Sequence, residues 1–424
     1  MSATAERTGR PVVLVLGAGF GGIGAARALK DADVEVVLVD KHDYHTFQPL
    51  LYQLATDLLE PSAVGHAVRD LFHDQPNVSV HQAAATGIDL ERREVELDRM
   101  APVRYDYLVL ALGAEVEFFG TDGADEHAFP MYTLADAVRL KEHVLQKWED
   151  ADRDPSLVAD GALNVVVVGG GPTGVETVGA LAELYRTNFA QDFPSLPQEE
   201  ARLILVEAGD DLFTMFKPEI RRYAKEVLEK KDVEVVLGDL VTAVTPTRVT
   251  LKSGRAIEAH TLVWGAGLAA HPLGAALGVE LQRGHRVPVE GELHLAGHPE
   301  VFVVGDIGWI TDTGTDEVLP QLGSVALQAG EHAGENIARL VEGKGTEPFV
   351  YTDKGTMAMI GRGAGVVQFK HGRTLKGRTA FLAWGAVHLA LLSTGEDRAK
   401  AVVDWTWSGM SHERPGRITV RADD

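Results

Sequence analysis

A glycine-rich turn that occurs twice, each time between an apolar run and a helical pattern, most constrains the fold. The first copy is Gly17-Ala-Gly19-Phe-Gly-Gly22, and it follows the continuous apolar run at residues 11–16. An apolar run of this kind is typical of a parallel strand that is buried on both faces. Residues 23–30 then indicate a helix, and residues 34–40 indicate a second strand that ends at Asp40.

Each part of this unit has a physical role in holding a dinucleotide. Gly17 allows the tight turn, Gly19 lets the backbone approach a pyrophosphate, and Gly22 lets the helix pack closely on the strand. The helix N-terminus offers free N–H groups to the phosphates, and Asp40 can accept hydrogen bonds from a ribose diol. The glycine pattern alone is weak evidence, but strand, turn, helix, strand and terminal acid in this order predict a dinucleotide site.

The same unit recurs later in the chain. Residues 163–168 lead into the second turn, with glycines at 169, 171 and 174, and residues 201–207 form a strand that ends at Glu207. The acid lies farther from the glycines than usual, which we interpret as an inserted loop at residues 186–200. Two complete units predict two bound dinucleotides, and the alternative is a duplicated fold in which one site is inactive.

Three further strands end at residues suited to a cofactor. Residues 105–113 and 260–267 end at small residues, Gly113 and Gly267, which can pass directly beneath a ligand. Residues 300–306 end in Gly-Asp306, and this carboxylate can accept a hydrogen bond from a ribitol hydroxyl. The alternative is that Asp306 caps the next helix.

Composition excludes several kinds of chemistry. The chain of 424 residues has no cysteine, which excludes disulfides, thiolate zinc sites, cysteine-ligated iron–sulfur clusters and a dithiol relay. Its formal net charge of -22 repels phosphate backbones, so we expect no nucleic-acid partner. The 16 histidines include no His-Glu-x-x-His motif, and we expect no metal site.

Four stretches resemble the type II NADH dehydrogenases, single-subunit NADH:quinone oxidoreductases among the two-dinucleotide-binding flavoproteins. These stretches are residues 41–56, 169–181, 319–337 and 351–361. The resemblance implies an α/β fold with two Rossmann-like dinucleotide-binding domains and a small C-terminal domain. The implied boundaries are an FAD domain split between 1–115 and 275–345, an inserted NADH domain at 116–274, and a C-terminal domain at 346–424.

The resemblance also implies the cofactors and the residues that hold them. Non-covalent FAD is expected at the first fingerprint, and its matching positions are Gly17, Gly19, Gly22, Asp40, Gly113 and Asp306. NADH is expected at the second, at Gly169, Gly171, Gly174 and Glu207, and further cofactor-binding candidates are Phe20, Lys41 and Gly267. Glu176 matches an acid placed near the meeting point of nicotinamide and flavin, and it is a catalytic candidate. Its alternative role is that of a first-turn acid stabilised by the helix dipole.

The electron acceptor is the least constrained part of the prediction. The family's quinone-side helix reads Ala-Gln-x-Ala-x-Gln-Gln, and the matching residues 323–329 keep only Gln328 of the three glutamines. Gln328 is therefore the second catalytic candidate, and Ser324 and Ala329 stand where the other two are expected. We expect a quinone acceptor that binds weakly. The alternatives are a soluble NADH-dependent reductase of a small electron-carrier protein or other small molecule, and a redox-responsive FAD/NADH-binding protein.

The tail carries an apolar segment at residues 379–392, which is too short to span a bilayer: 14 residues of helix reach only ~21 Å of a ~30 Å core. Trp384, Trp405 and Trp407 would rest at a membrane interface. The alternative is packing on the flavin domain or on a homodimer partner. We find no convincing signal peptide and expect a cytoplasmic protein, peripheral on the cytoplasmic face of the membrane.

Overall fold

The computed structural model describes residues 9–392 and 395–411, and its α/β architecture confirms the predicted fold class. The chain divides into two compact units, and neither is continuous in sequence. The first comprises Met1–Thr46, His66–Glu115 and Leu268–Thr352, and the second comprises Phe47–Gly65, Val116–Gly267 and Asp353–Asp424. The predicted domain boundaries at 275 and 346 compare with unit boundaries at 268 and 353 in the structure. Two differences are that residues 47–65 and the C-terminal segment belong to the same unit as the second fingerprint.

The first unit is built on a six-stranded sheet with the first fingerprint strand near its middle. The strands lie side by side in the order His294–Leu295, His298–Val303, Tyr107–Leu110, Val12–Leu16, Glu35–Asp40 and Val78–Gln82. Every neighbouring pair is parallel except the first, which is antiparallel. The central strand is fully buried from Val13 to Leu16, as its continuous apolar sequence predicts.

Helices and short strands complete the first unit. The fingerprint helix Phe20–Ala28 packs along the long helix Gly323–Val341, and small residues such as Ala25 and Ala333 fill the core between them. The other helical segments are Val68–Leu71, Pro272–Leu277, Arg283–His285 and Gly305–Ile307. An antiparallel sheet is formed by Ala85–Asp89, Glu94–Leu97 and Val103–Arg104, and shorter strands are Tyr44–Thr46, Val287–Pro288, Gly308–Trp309, Thr311–Asp312 and Glu317–Val318.

The second unit contains a five-stranded sheet that is parallel throughout. Its order is Phe129–Pro130, Thr261–Trp264, Val165–Val168, Leu203–Glu207 and Val233–Leu237. An antiparallel sheet follows the last strand, formed by Val241–Thr245, Arg248–Leu251 and Ala256–Glu258. The helical segments before the tail are Gln48–Leu50, Leu51–Ala55, Pro61–Val64, Ala124–His127, Leu134–Arg153, Ser156–Ala159, Pro172–Glu183, Leu184–Phe189, Ala190–Asp192, Gln198–Glu200 and Pro218–Glu229.

The predicted loop at residues 186–200 is largely helical, so that expectation was wrong. The fingerprint helix continues through a π-helical turn, Leu184–Phe189, and reaches Asp192. An aromatic cluster explains the continuation, because the indole of Trp148 contacts the rings of Tyr185, Phe189 and Phe193 at centroid distances of 4.9, 4.8 and 5.6 Å. Burying these rings favours the helical path over a solvated loop.

The tail of the second unit begins with a small antiparallel sheet and ends with two helices. The strands are Thr356–Gly361, Ala364–Gln368 and Thr374–Gly377, and the helices are Arg378–Leu391 and Gly395–Ser411. Within residues 9–392 and 395–411, no helix is both long and apolar enough to cross a membrane.

Candidate functional site

The first glycine turn has the shape that a dinucleotide fingerprint requires. Gly17 has φ +102°, a conformation that glycine adopts without strain. A Cβ atom on Gly22 would lie 1.8 Å from the Gly17 carbonyl oxygen, so no larger residue fits there. Gly19 precedes the helix, and no side chain caps the helix N-terminus. The turn therefore leaves free N–H groups at the helix end.

The open side of this turn fits a pyrophosphate. A Cβ atom on Gly19 would meet no other atom within 4 Å, whereas both flanking glycines of the motif are tightly packed. At the neighbouring strand end, the Asp40 carboxylate accepts hydrogen bonds from the Ala18 nitrogen at 2.6 Å and the His42 nitrogen at 2.7 Å. Open backbone, uncapped N–H groups and a fixed carboxylate together suit the diphosphate and ribose of FAD.

The other flavin candidates of the first unit lie at the ends of its central strands. Phe20 begins the fingerprint helix, and its ring meets His45 edge-to-face at 5.0 Å. Lys41 is exposed just after the strand that ends at Asp40. Gly113 has φ +72°, and Asp306 is half-buried in the short helical turn that follows its strand. Asp306 therefore lies within that turn and does not cap it.

The second fingerprint repeats the geometry of the first. Gly169 has φ +111°, a Cβ on Gly174 would lie 1.9 Å from the Gly169 oxygen, and a Cβ on Gly171 would meet nothing within 4 Å. The Glu207 carboxylate accepts a hydrogen bond from the Gly170 nitrogen at 2.5 Å. The second turn therefore fits a dinucleotide as the first does, because the space beside Gly171 is open.

The Glu207 carboxylate and Gly267 lie at the edge of the second dinucleotide turn. The other oxygen of Glu207 accepts a hydrogen bond from the Gly209 nitrogen at 2.7 Å, so the carboxylate is held at both ends. Gly267 has φ +73°, and a Cβ there would lie 2.4 Å from the ring of Phe119. Phe119 itself is 68% exposed. An exposed ring above a glycine offers an apolar surface beside the turn.

Glu176 lies on the second fingerprint helix, Pro172–Glu183, but beyond its first turn. The helix-dipole alternative for this residue was therefore wrong. The side chain is 9% exposed, and its Oε1 accepts a hydrogen bond from the Met359 nitrogen at 2.8 Å. Burial raises the pKa of Glu176 to about 8, and the Met359 hydrogen bond only partly opposes this. Glu176 therefore holds a proton at neutral pH.

Glu176 lines a cavity of about 930 Å³ within the second unit. The fingerprint helix contributes one wall, residues 52–58 a second, and the C-terminal strands and helices the others. The lining residues are Tyr52, Gln53, Thr56, Leu58, Glu176, Ala180, Glu183, Thr187, Asn188, Lys231, Met359, Gly361, Arg362, Gly363, Arg378, Phe381, Leu382, Trp384, Gly385, Ala386, Leu389, Trp405 and Thr406. The cavity is large enough for a drug-sized ligand.

A hydrogen-bonded chain of side chains borders this cavity. The Trp405 indole nitrogen donates to Oε1 of Gln53 at 2.7 Å, and Nε2 of Gln53 donates to the Tyr52 hydroxyl at 2.9 Å. Trp384 is 2% exposed and packs against Tyr52 at a centroid distance of 6.3 Å. Trp384 is therefore buried in the protein, and its predicted position at a membrane interface was wrong. Trp405 is half-buried with its indole nitrogen bonded to Gln53, and its position at a membrane interface stays a prediction. The side chain of Trp407 lies outside the described part of the chain.

Charged groups lie at another wall of the cavity. The Glu183 carboxylate accepts hydrogen bonds from Nζ of Lys231 at 2.6 Å and from the Arg362 nitrogen at 2.5 Å. Sequence reasoning missed Tyr52, Gln53 and Lys231 as site residues. The stretch 41–56 carried a family signal, but nothing in it indicated contact with a tail more than 300 residues later.

The quinone-side helix has a different arrangement from the one its sequence predicted. Gln328 belongs to the first unit. Its Nε2 donates a hydrogen bond to the Thr352 carbonyl oxygen at 3.2 Å, and its Oε1 accepts one from the Thr352 nitrogen at 3.0 Å. The Ser324 hydroxyl lies 2.9 Å from that of Tyr351. Ala329 is fully buried in the core against the fingerprint helix, so it does not replace an acceptor ligand.

Two open dinucleotide turns, each with a carboxylate at the next strand end, define the class of this protein as a two-dinucleotide flavoprotein oxidoreductase. The model of the family described as pyridine nucleotide-disulphide oxidoreductase matches residues 11–330. A type II NADH:quinone oxidoreductase of Mycobacterium tuberculosis is 37% identical over 97% of this chain and 90% of its own length. That of Staphylococcus saprophyticus is 31% identical, over 88% and 92%.

The solved structures agree with this fold. NDH2 from Plasmodium falciparum in complex with NADH has a TM-score of 0.88 at 19% identity, covering 96% of this chain and 99% of that one. The sulfide:quinone oxidoreductase of Aquifex aeolicus has a TM-score of 0.72 at 17% identity, covering 96% of each. The chain belongs to the type II NADH:quinone oxidoreductase family. It is an enzyme, an oxidoreductase that uses FAD and NADH, as its sequence predicted.

Proposed function

We propose that this chain oxidises NADH at the second fingerprint and that the electrons reach, by way of FAD at the first, a quinone admitted to the cavity beside Glu176. The cavity carries this proposal, because it joins an apolar tail helix to buried polar groups on the second fingerprint helix. FAD, when bound, supplies two-electron redox chemistry that no side chain of this cysteine-free chain can supply.

The cofactor assignments follow from the fit of the two turns. In the first unit, Gly17, Gly19, Gly22 and the Asp40 carboxylate would hold the FAD diphosphate and ribose, with Phe20, Lys41, Gly113 and Asp306 along the same strand ends. In the second unit, Gly169, Gly171, Gly174, Glu207 and Gly267 would hold NADH. Both assignments rest on turns whose middle glycine faces open space.

The cavity has the composition of a site for a ring with polar oxygens. Phe381, Leu382, Trp384 and Leu389 give it apolar walls. Reduction of a quinone takes up two protons, and the carboxyl of Glu176 holds one at neutral pH because burial raises its pKa to about 8. Glu176 would therefore hand a proton from its carboxyl oxygen to the reduced acceptor. Gln328 would act indirectly, by holding the 351–352 segment to its helix.

The tail helices would bring the cavity to a membrane surface. Helix Arg378–Leu391 buries only Ala380, Trp384 and His388, a single stripe at four-residue spacing. Its other faces are apolar. Among the side chains that the structure describes on the two tail helices, the large exposed apolar ones are Leu382, Val387, Leu391, Val402 and Val403. An exposed apolar face of this kind fits the interface of a bilayer, where the quinone itself dissolves. Association with the cytoplasmic face of the membrane is part of this proposal.

A substitution that fills the cavity tests the acceptor site. Ala386 is exposed on the tail helix and lines the cavity, so Ala386→Trp should lower kcat/KM for a short-chain quinone at least tenfold. Ala390→Trp, one turn further along, is the matched control because Ala390 is exposed but does not line the cavity. Reduction of the flavin by NADH, followed anaerobically, should be unchanged in both. Equal quinone kinetics in the two variants would refute the cavity as the acceptor site.

Vesicle flotation tests the membrane surface. The protein should float with vesicles of mixed neutral and anionic lipids, and Leu382→Glu with Leu391→Glu should reduce the bound fraction several-fold. Leu240→Glu is the control, since Leu240 is 39% exposed but lies outside the tail. If the double variant instead converts a homodimer to a monomer and flotation is unaffected, the apolar face covers a second copy of the chain.

A further inference from the structure

The indole group of Trp405 determines which group donates in each of the two hydrogen bonds that link Trp405, Gln53 and Tyr52. An indole nitrogen can only donate, so the atom of Gln53 that faces Trp405 at 2.7 Å must be its oxygen. The amide nitrogen of Gln53 must then face the Tyr52 hydroxyl at 2.9 Å and donate to it. Trp405 therefore resolves the orientation of an amide that could otherwise flip.

This order leaves the Tyr52 hydroxyl with its own hydrogen to donate. Among the described residues, the hydroxyl accepts from Gln53 and donates to no other group. Tyr52 is 6% exposed and lines the cavity, so a ligand that enters the cavity can accept this hydrogen. Burial raises the pKa of Tyr52 well above its ordinary value of 10, so the phenol stays protonated. An unsatisfied buried donor is costly unless a ligand accepts from it.

We propose that the Tyr52 hydroxyl donates a hydrogen bond to a carbonyl oxygen of the acceptor, and that Trp405, acting through Gln53, is the positioning residue that keeps this donor directed outward. The inference rests on the proposed cavity function, and it adds the group that recognises the acceptor. A bond already accepted from the Gln53 amide polarises the phenol and strengthens its own donation. The acceptor selected in this way is a planar ring with a carbonyl oxygen, as in a quinone.

The position of Trp405 gives this arrangement a second property. Trp405 lies on the last helix, Gly395–Ser411, on which Val402 and Val403 are exposed. The same helix therefore carries an outward apolar surface and the group that fixes the Gln53 amide. If the helix Gly395–Ser411 moved away, the Gln53 side-chain amide would be free to flip. The Tyr52 hydroxyl could then donate to the amide oxygen of Gln53 and not to a ligand in the cavity.

Deletion of the single hydroxyl is the first test. Tyr52→Phe should raise the dissociation constant of a soluble quinone, measured by quenching of tryptophan fluorescence, by roughly three- to tenfold. The Michaelis constant for quinone should rise by the same factor, while anaerobic flavin reduction by NADH is unchanged. Tyr185→Phe is the matched control, because that buried hydroxyl contacts the Leu163 carbonyl at 3.3 Å and does not line the cavity.

Two further substitutions test the positioning residues. Trp405→Phe removes the indole N–H and keeps an aromatic ring, so it should weaken quinone binding in the same sense but less. Gln53→Glu places an acceptor where the amide nitrogen stands, so the phenol would donate inward and binding should fall as far as in Tyr52→Phe. Combined with Tyr52→Phe, neither substitution should weaken binding further, since residues that act through one group are not additive.

The outcomes separate this inference from the cavity assignment. If Ala386→Trp blocks quinone reduction and Tyr52→Phe leaves the dissociation constant unchanged, the cavity is the acceptor site and Tyr52 is not its donor. If Trp405→Phe adds its full effect on top of Tyr52→Phe, Trp405 does not act through Tyr52. If Ala386→Trp also has no effect, the proposed function fails at this site and the inference fails with it.

Discussion

The carboxylate of Glu207 and the backbone nitrogen of Gly170 lie 2.5 Å apart, so the end of one strand is bonded to the glycine turn of its neighbour. Asp40 and Ala18 make the same contact at 2.6 Å in the first unit. In both places the acid that would face a ribose also supports the turn that would face its phosphates. Substitution of either acid therefore affects both parts of a dinucleotide site.

Glu207 should make the enzyme select NADH over NADPH. A 2′-phosphate placed beside this carboxylate would bring like charges together and lose the diol hydrogen bonds, which predicts roughly ten- to a hundredfold discrimination in kcat/KM. Glu207→Gln should narrow that ratio. Glu234→Gln on the adjacent strand is the control, because Glu234 pairs with Arg202 and Arg255 instead of the turn. Equal use of both coenzymes by the parent would contradict the assignment.

Substitution of Gly19 or Gly171 should abolish cofactor binding without affecting folding. Gly19 and Gly171 have φ of -74° and -79°, which other residues adopt, and a Cβ on either meets no atom within 4 Å. Gly19→Val should therefore fold normally but purify with little flavin, judged by the ratio of flavin to protein absorbance. Gly171→Val should keep its flavin and lose NADH binding, measured by calorimetry. Each variant serves as the control for the other.

Glu176 should make stability fall with rising pH. Its folded pKa of about 8 lies above the ordinary value of 4.5, so the folded state holds the proton more tightly than the unfolded state. The stabilisation is complete below pH 4.5 and is lost progressively up to about pH 8. Glu176→Gln removes this dependence, and it should be more stable than the parent at pH 9 by a few kcal/mol, at about 1.4 kcal/mol per pKa unit. Denaturant unfolding at pH 5 and pH 9 measures the difference.

Ala329→Gln should not improve quinone binding, although the sequence suggested that it restores a missing glutamine. Ala329 has no exposed surface and packs in the core of the first unit. An amide inserted there should lower the free energy of unfolding by more than about 2 kcal/mol. Ser324→Gln is the control on the same helix, because Ser324 is exposed and loses one hydroxyl contact. Urea unfolding compares the two variants.

The local parts of this fold were predictable because their signals are local. The apolar run at Val12–Leu16, the turn at Gly17–Gly22 and the acid at Asp40 depend on neighbours within about 30 residues, and each was found where its sequence placed it. The helix at Arg378–Leu391 was also predicted within one residue. In each case, backbone geometry and burial leave few alternatives for these residue types.

The acceptor cavity was not predictable, because it is assembled from distant segments. The bond between Trp405 and Gln53 joins residues 352 positions apart, and no periodicity in either segment indicates it. The tryptophans were assigned to a membrane interface because an amphipathic ring suits both environments equally well. Ala329 shows the converse limit, since a family pattern indicates which residue is expected but does not show which way the position faces.

The helix Pro172–Glu183, which follows the second glycine turn, also packs against the C-terminal strand Thr356–Gly361. A Cβ atom on Gly179 would lie 2.0 Å from the Ile360 carbonyl oxygen, and one turn away on either side Glu176 and Glu183 bond the nitrogens of Met359 and Arg362. The segment that carries the second fingerprint therefore cannot be transferred to another protein on its own. A gene truncated after residue 352 would leave a bare glycine and two carboxylates on a helix whose partner strand had been removed, so grafting or recombination has to transfer both segments together.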